Sequence, residues 1–378
     1  MSAPTILLSA GEASSDMYAA RLATALRERT GATIFGMGGR RMAEAGVELI
    51  ADYHEVAVVG ITEVVHKIPS VVRVQNRLAR EAVRRKASLA ILVDSPGTHL
   101  GVARRLKNAG IPVGYFIGPQ VWAWRAGRVR VVKRVVDRMV VIFPFEERFY
   151  RDAGVPVDFV GHPLVDSVRR TKSREEFAAE HGLDSRRPIV ALLPGSRRSE
   201  IQRNFPAILD GCERLARGPH AIPGIQFVHA AAPGLNEDFW SKFARPDLAL
   251  KRIESATYDA LGSADCAVVA SGTATVEAAL LGTPMVVVYR VAPTTAFVVR
   301  RMLRTPFIGM VNLIAGRQVA PELIQDRFTG AAVEAELRRY LEVPSAREDA
   351  VRGLAEVREK MGPGGAIERA ADIFARML

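Results

Sequence analysis

The stretch Ile189-Val190-Ala191-Leu192-Leu193-Pro194-Gly195-Ser196-Arg197-Arg198-Ser199-Glu200 decides the fold reading. Five consecutive apolar residues predict a strand buried on both faces, as a parallel sheet requires. Pro194 and Gly195 end it, and a helical pattern follows. Strand, glycine turn and helix in that order make one half of a βαβ unit. The same order recurs where Ala267–Ala270 runs through Ser271-Gly272 into Thr273-Ala274-Thr275. It recurs again after Thr5–Ser9 and after Leu89–Val93.

On either side of this stretch, short apolar runs alternate with longer helical patterns along most of the chain. In the first half, strands are predicted near Thr5–Ser9, Thr33–Gly36, Leu89–Val93, Val113–Ile117, Met139–Phe143 and Asp158–Val160. In the second they fall near Ile189–Leu193, Gln226–Ala230, Ala249–Arg252, Ala267–Ala270 and Met285–Tyr289. This alternation predicts an α/β fold with two Rossmann-like, doubly wound parallel-sheet domains. The expected boundaries are residues 1–165, a charged linker over 166–187, a second domain over 188–340, and helices over 341–378. Those helices would brace the first domain or a partner chain.

The composition agrees. A chain of 378 residues, 48% hydrophobic and 25% charged, is long enough for two cores. Two cysteines, Cys212 and Cys266, supply neither a disulfide framework nor a metal cluster, so a reducing cytosol is the expected compartment. The N-terminus runs straight into an apolar strand with no signal-peptide pattern. The most apolar stretch, Cys266 to Tyr289, is broken by Glu277, Gly282 and Pro284, and reads as strand–helix–strand rather than a membrane span. The net charge of +11 fits nucleic acid, anionic lipid or phosphorylated small molecules as partners. It fits an arginine-rich proteome equally well.

The turns carry the candidate chemistry. Gly195 admits a ligand close to the backbone, the Ser196 hydroxyl can donate, and the helix N-terminus favours an anion. Arg197 can grip phosphate with two parallel bonds. An ordinary capped turn explains the same residues. In the second turn, Thr273 and Ala274 open a helix, and Glu277 follows one turn later. A carboxylate there can accept both ribose hydroxyls, or it can simply favour the helix dipole. Two such turns in one domain point to one crevice of the sheet, which favours a nucleotide. Neither turn is a Walker sequence.

In the first domain, Gly11, Glu12 and Ser14 stand at the ligand-facing edge, with Ser15 or Asp16 available as helix caps. Asp94 closes a buried strand, where it could act as general base or merely cap the next helix. Trp122, in Gln120-Val121-Trp122-Ala123-Trp124-Arg125, suits a sugar or lipid contact or a domain-edge core. His162, beside the linker, is structural by default. Val64, Val65, Ile68, Val71 and Val72 recur at helical spacing, either as a core stripe or as a patch that meets acyl chains or a membrane.

Taken in order, these segments resemble the lipid-A-disaccharide synthases, a family of GT-B-type glycosyltransferases. The resemblance runs from about Leu7 to Gln325. It rests on Gly11-Glu12-Ala13-Ser14, Val58-Val59-Gly60-Ile61-Thr62-Glu63-Val64, Asp94-Ser95-Pro96 and Pro119-Gln120-Val121-Trp122-Ala123-Trp124-Arg125. It continues through Phe143-Pro144-Phe145-Glu146, Gly161-His162-Pro163, Leu192-Leu193-Pro194-Gly195-Ser196-Arg197, Ser271-Gly272-Thr273-Ala274 with Glu277, and Asn312-Leu313-Ile314-Ala315-Gly316-Arg317.

That resemblance implies two domains facing a cleft. It implies transfer from UDP-2,3-diacylglucosamine to 2,3-diacylglucosamine 1-phosphate, giving a β-1,6 disaccharide and UDP with inversion and no metal or other cofactor. Asp94 would be the base and Arg197 would neutralise the leaving diphosphate. Gly195, Ser196, Thr273, Ala274 and Glu277 would hold the nucleotide. Gly11, Glu12, Ser14, Trp122, His162 and Asn312 are acceptor or cleft candidates. The valine set would meet acyl chains at an anionic inner-membrane surface, with the protein cytoplasmic and peripheral. A homodimer is compatible with all of this.

The chain departs from the family pattern where Ser15 replaces a common glycine. It departs again where Gly97-Thr98-His99 replaces an x-Phe-Asn segment. The competing enzyme reading is another UDP-sugar user of the same architecture, such as a UDP-N-acetylglucosamine 2-epimerase or the transferase of peptidoglycan precursor synthesis. The non-enzyme reading is a nucleic-acid binder resting on Arg125, Arg128, Arg130, Lys133, Arg134 and Arg138. No nucleic-acid motif accompanies that cluster.

Overall fold

The computed structural model describes residues 3–56, 61–119, 126–232, 234–292 and 305–378. The chain divides into two compact units, one of Met1–Asp166 with Met361–Leu378 and one of Ser167–Lys360.

The first unit is a seven-stranded sheet in the order β3-β2-β1-β4-β5-β6-β7. The strands are β1 Thr5–Ala10, β2 Thr33–Gly38, β3 Glu48–Asp52, β4 Leu89–Val93, β5 Val113–Phe116, β6 Arg138–Val141 and β7 Val157–Phe159. All pairings are parallel, so both faces of the sheet need covering. That is why β1, β4 and β5 are apolar almost throughout and, Thr5 aside, buried. Chain order reverses between β1 and β4, where Ser9 pairs with Leu92 and Ala10 with Val93. In doubly wound sheets that switch point opens the ligand crevice.

Four helices of this unit bear on the site: α1 Ala13–Thr30, α2 Arg40–Glu44, α3 Ile61–Arg84 and α4 Pro96–Asn108. α3 buries Val74, Leu78 and Ala82 at i, i+4 and i+8 against the core of β1, β2, β4 and β5. The last helix, Ala366–Ala375, packs against α1. Its Phe374 is fully buried and meets Phe116 edge-on. Arg369 donates to the Val160 carbonyl through both Nε, at 3.0 Å, and Nη2, at 2.6 Å. The chain's last 18 residues, 361–378, thus return to the first unit.

The second unit is a six-stranded parallel sheet in the order β10-β9-β8-β11-β12-β13. Its strands are β8 Ile189–Leu193, β9 Gln226–Ala231, β10 Leu250–Glu254, β11 Cys266–Ala270, β12 Met285–Tyr289 and β13 Glu322–Ile324. Here the switch point lies between β8 and β11, with Leu193 paired to Val269. The glycine turns that follow these two strands therefore leave the sheet side by side. The stretch before β8 is tied into this unit. Arg174 pairs with Asp265 at 2.9 Å, and Asp259 accepts from the Thr171 amide at 2.6 Å.

Strands β3 and β13 were not expected from the sequence. Both are short edge strands, and each buries only one residue. An edge strand buries little and needs no continuous apolar run.

Candidate active site

In the second unit, β8 delivers Pro194 and Gly195 to the start of the helix Arg198–Arg217. Gly195 has φ +132°, and a Cβ there would lie 2.8 Å from the Glu200 Cβ. Glycine is therefore required on both conformational and steric grounds. Fully buried Asn204 pins the turn, donating from Nδ2 to the Pro194 carbonyl at 2.9 Å. The exposed amides of Ser196 and Arg197 are each 3.3 Å from a Glu200 carboxylate oxygen, and the Arg197 guanidinium pairs with Glu200 at 3.1 Å. A carboxylate already occupies this helix N-terminus, as its dipole and free amides favour.

A cavity of about 340 Å³ joins this turn to the next. Gly195, Ser196 and Glu200 line one side, and Ser271, Gly272, Thr273, Ala274 and Glu277 line the other. Five of the six nucleotide residues expected from the sequence thus share one cavity, while Arg197 stands outside its lining with 65% of its side chain exposed. Ala230, Ala232 and Thr257 also line it and were not anticipated. The triple alanine closing β9 was the available signal, since small residues at a strand's C-terminal end leave room for a ligand. Glu277 is half-buried, receives the Tyr258 hydroxyl at 3.2 Å, and also lines a neighbouring hollow with Thr171, Ser255 and Tyr258. Burial raises its pKa despite the bond from Tyr258.

Asn312 lies elsewhere. It is fully buried, donates to Ala320 and Glu322 at 2.8 Å each, and accepts from the amides of Val319 and Ala320 at 2.7 and 2.9 Å. Every hydrogen-bonding position of its amide faces protein, so it does not reach a ligand directly. Glu322 in turn accepts from the amides of Ile308 and Gly309 at 2.9 Å each, and the Ser271 hydroxyl donates to the Ile308 carbonyl at 3.2 Å. Asn312 therefore supports the cavity wall from behind.

In the first unit, Asp94 stands at the C-terminal end of β4. Asp94 and Ser95 adopt φ +52° and +48°. Asp tolerates the left-handed region, but for Ser95 it costs roughly 1–2 kcal/mol, so the surroundings must enforce this turn. The Asp94 carbonyl accepts from the Tyr115 hydroxyl at 2.5 Å and from His99 Nδ1 at 2.7 Å. Gly11 lies against it, since a Cβ there would clash with the Ser95 side chain. Part of Asp94 stays open to solvent, but most of its surroundings are protein. Burial first, and then the charge of Glu12, pushes its pKa up to about 7.

Glu12 and Ser14 are exposed, and the Ser14 hydroxyl donates to Glu12 at 2.5 Å. Ser15 accepts from the amides of Gly11 and Glu12 at 3.2 and 3.0 Å, so it caps α1. Asp16 accepts from the amides of Gly39, Arg41 and Met42 and caps α2. His162 is buried, takes the Leu164 amide at 3.1 Å on Nδ1, and packs on Phe143. Burial lowers its pKa to about 3, so it is neutral in ordinary conditions and belongs to the packing. Trp122, and the side chains of Val64 and Val65, lie outside the described residues.

The remaining valine-set residues divide between two faces of α3. Val71 packs on the core, while Ile68 and Val72 are 52% and 40% exposed. Among the described residues, no helix is long and apolar enough to cross a membrane.

Comparison with known proteins agrees with this geometry. A family model described as lipid-A-disaccharide synthetase matches residues 6–370. A lipid-A-disaccharide synthase of Myxococcus xanthus is 45% identical over 377 residues, covering 99% of this chain and 98% of that protein. Among solved structures, Staphylococcus aureus MnaA with UDP aligns with TM-score 0.68 at 12% identity, over 99% of this chain and 98% of the other. The glycotransferase of kitacinnamycin aligns with TM-score 0.65 at 16% identity, over 99% of each chain.

Two Rossmann-like units, each with polar groups gathered at its switch point, define a GT-B-type fold. Within that class it belongs to the lipid-A-disaccharide synthetase family, and its activity is formation of the lipid A disaccharide.

Proposed function

We propose that the chain transfers the sugar of UDP-2,3-diacylglucosamine to the 6-hydroxyl of 2,3-diacylglucosamine 1-phosphate, inverting the anomeric centre. The products are a β-1,6-linked disaccharide 1-phosphate and UDP. The observation that carries this reading is the cavity shared by Gly195-Ser196 and Thr273-Ala274, with Glu277 at its junction with a second hollow. Backbone amides at two helix starts suit a diphosphate, and a half-buried carboxylate beside them suits ribose hydroxyls.

In this reading the diphosphate displaces Glu200 from the Ser196 and Arg197 amides and takes over the Arg197 guanidinium. Charge building on the leaving UDP is then met by fixed donors, which lowers the barrier without reorganisation. Asp94 takes the proton from the acceptor hydroxyl as its oxygen attacks C1. A base of pKa about 7 is well matched to that task near neutral pH. Exposed Glu12, which raises that pKa, also belongs to the acceptor side.

Ile68 and Val72, next to Arg73 on α3, would rest on an anionic inner-membrane surface from the cytoplasmic side, where the acylated substrates reside. A homodimer would show as twice the chain mass in light scattering. Mass spectrometry of the products from both acylated substrates tests the reaction. Epimerisation of UDP-N-acetylglucosamine alone, with no disaccharide, would refute it.

A further inference from the structure

His99 takes no part in the reaction steps above, yet it is fully buried at the switch point of the first sheet. Its Nε2 lies 2.9 Å from the Ser9 hydroxyl near the end of β1, and its Nδ1 lies 2.7 Å from the Asp94 carbonyl at the end of β4. A carbonyl only accepts, so Nδ1 carries the ring proton. In the neutral imidazole Nε2 must then accept, and Ser9 donates to it. The Asp94 carbonyl and the Ser9 hydroxyl together fix the tautomer.

We propose that His99 is the positioning residue of Asp94: anchored on Ser9, it holds the left-handed Asp94-Ser95 turn through the Asp94 carbonyl and so sets where that carboxylate points. The inference rests on Asp94 being the base.

Three further observations support it. Ser95, at φ +48° directly after Asp94 at φ +52°, sits in a left-handed conformation that its residue type rarely adopts, so something must hold the turn. The groups that touch it converge: Tyr115 donates to the same carbonyl at 2.5 Å, and its ring meets the His99 ring edge-on at 6.4 Å. Gly11 closes the other side against Ser95. Finally, burial lowers the His99 pKa to about 4, so the ring neither gains nor gives a proton at neutral pH. It serves as a neutral wedge rather than a second base.

The titratable groups around Asp94 are Glu12 at the start of α1, Tyr115 on β5 and His99 on α4. Without the wedge, the turn relaxes towards ordinary backbone angles and Asp94 gains solvent. The carboxylate is then misplaced, and its pKa falls from about 7.

The test measures turnover of the full chain with both acylated substrates, from about pH 5 to about pH 9, where the base titrates. His99→Phe keeps the bulk and removes the polar contacts of the ring. It is expected to lower kcat about 10- to 100-fold through lost alignment, leave KM for the UDP-sugar unchanged, and move the midpoint of the kcat rise to lower pH. His99→Asn offers an N–H donor and a carbonyl acceptor and should recover most of the loss. Ser9→Ala should cost about two- to tenfold in kcat, the worth of one hydrogen bond.

Wild-type kcat and midpoint in His99→Phe would overturn the proposal, as would His99→Asn falling equally far. If His99→Phe does not fold, as judged by circular dichroism, Ser9→Ala decides, and wild-type behaviour there overturns it. Asp94→Asn separates the two claims. An active Asp94→Asn refutes the base assignment itself, whereas an inactive one beside a normal His99→Phe refutes only the role of His99.

Discussion

Asp94 concentrates the conflict between stability and function at the residue scale. Its carboxyl sits in an environment that disfavours charge, beside Glu12 and on a strained turn. With a folded pKa raised to about 7, against about 3.9 when unfolded, the native state binds its proton more tightly. Its contribution is therefore fully present below about pH 3.9 and is lost as pH rises through about 7. Activity should run the opposite way, rising through about pH 7 as the base ionises. Asp94→Asn is expected to abolish turnover, keep UDP affinity near normal, and raise Tm at pH 8 but not at low pH. Kinetics, calorimetric titration and thermal melts check the three parts separately. Arg197→Ala should differ in kind, lowering kcat about 10²- to 10³-fold as other losses of a transition-state donor do and weakening UDP binding in the same titration.

At the scale of elements, α3 shows what periodicity leaves undecided. Paired valines such as Val71-Val72 put apolar side chains on two adjacent faces, so a helical spacing alone does not say which face is inside. The structure answers with Val74, Leu78 and Ala82 inward and Ile68 and Val72 outward. The double variant Ile68→Ser with Val72→Ser should then reduce pelleting with anionic vesicles and leave UDP affinity and Tm near wild type. A fall in Tm of several degrees would show that these side chains support the core instead.

The strand–turn–helix units were legible because a buried parallel strand writes itself as an unbroken apolar run, as Ile189–Leu193 and Leu89–Val93 do. The glycine turns after β8 and β11 were legible because a glycine directly after a buried apolar run marks where strand gives way to helix. Asn312 and His99 were not. Their partners, Ala320, Glu322 and Ser9, are set by packing in three dimensions, and nothing in local spacing distinguishes an amide that meets a ligand from one that ties down a loop.

For the molecule as a whole, the chain crosses from the first unit to the second and then returns. Residues 361–378 complete the first unit, with Phe374 inserted beside Gly114 and Phe116. Phe374→Ala should therefore cost about 3–5 kcal/mol, seen as a lowered denaturation midpoint, while calorimetric UDP affinity, a property assigned to the second unit, holds in the folded fraction. A loss of UDP affinity with unchanged stability would contradict that division of labour.

The cavity at Gly195-Ser196 and Thr273-Ala274 is proposed to serve sugar transfer between two acylated glucosamines. Mass spectrometry of a reaction containing UDP-2,3-diacylglucosamine and 2,3-diacylglucosamine 1-phosphate tests it most directly. Equal amounts of tetraacyl disaccharide 1-phosphate and UDP are expected, both absent with Asp94→Asn. Unchanged substrates in the wild-type reaction, or UDP released without disaccharide, would contradict it.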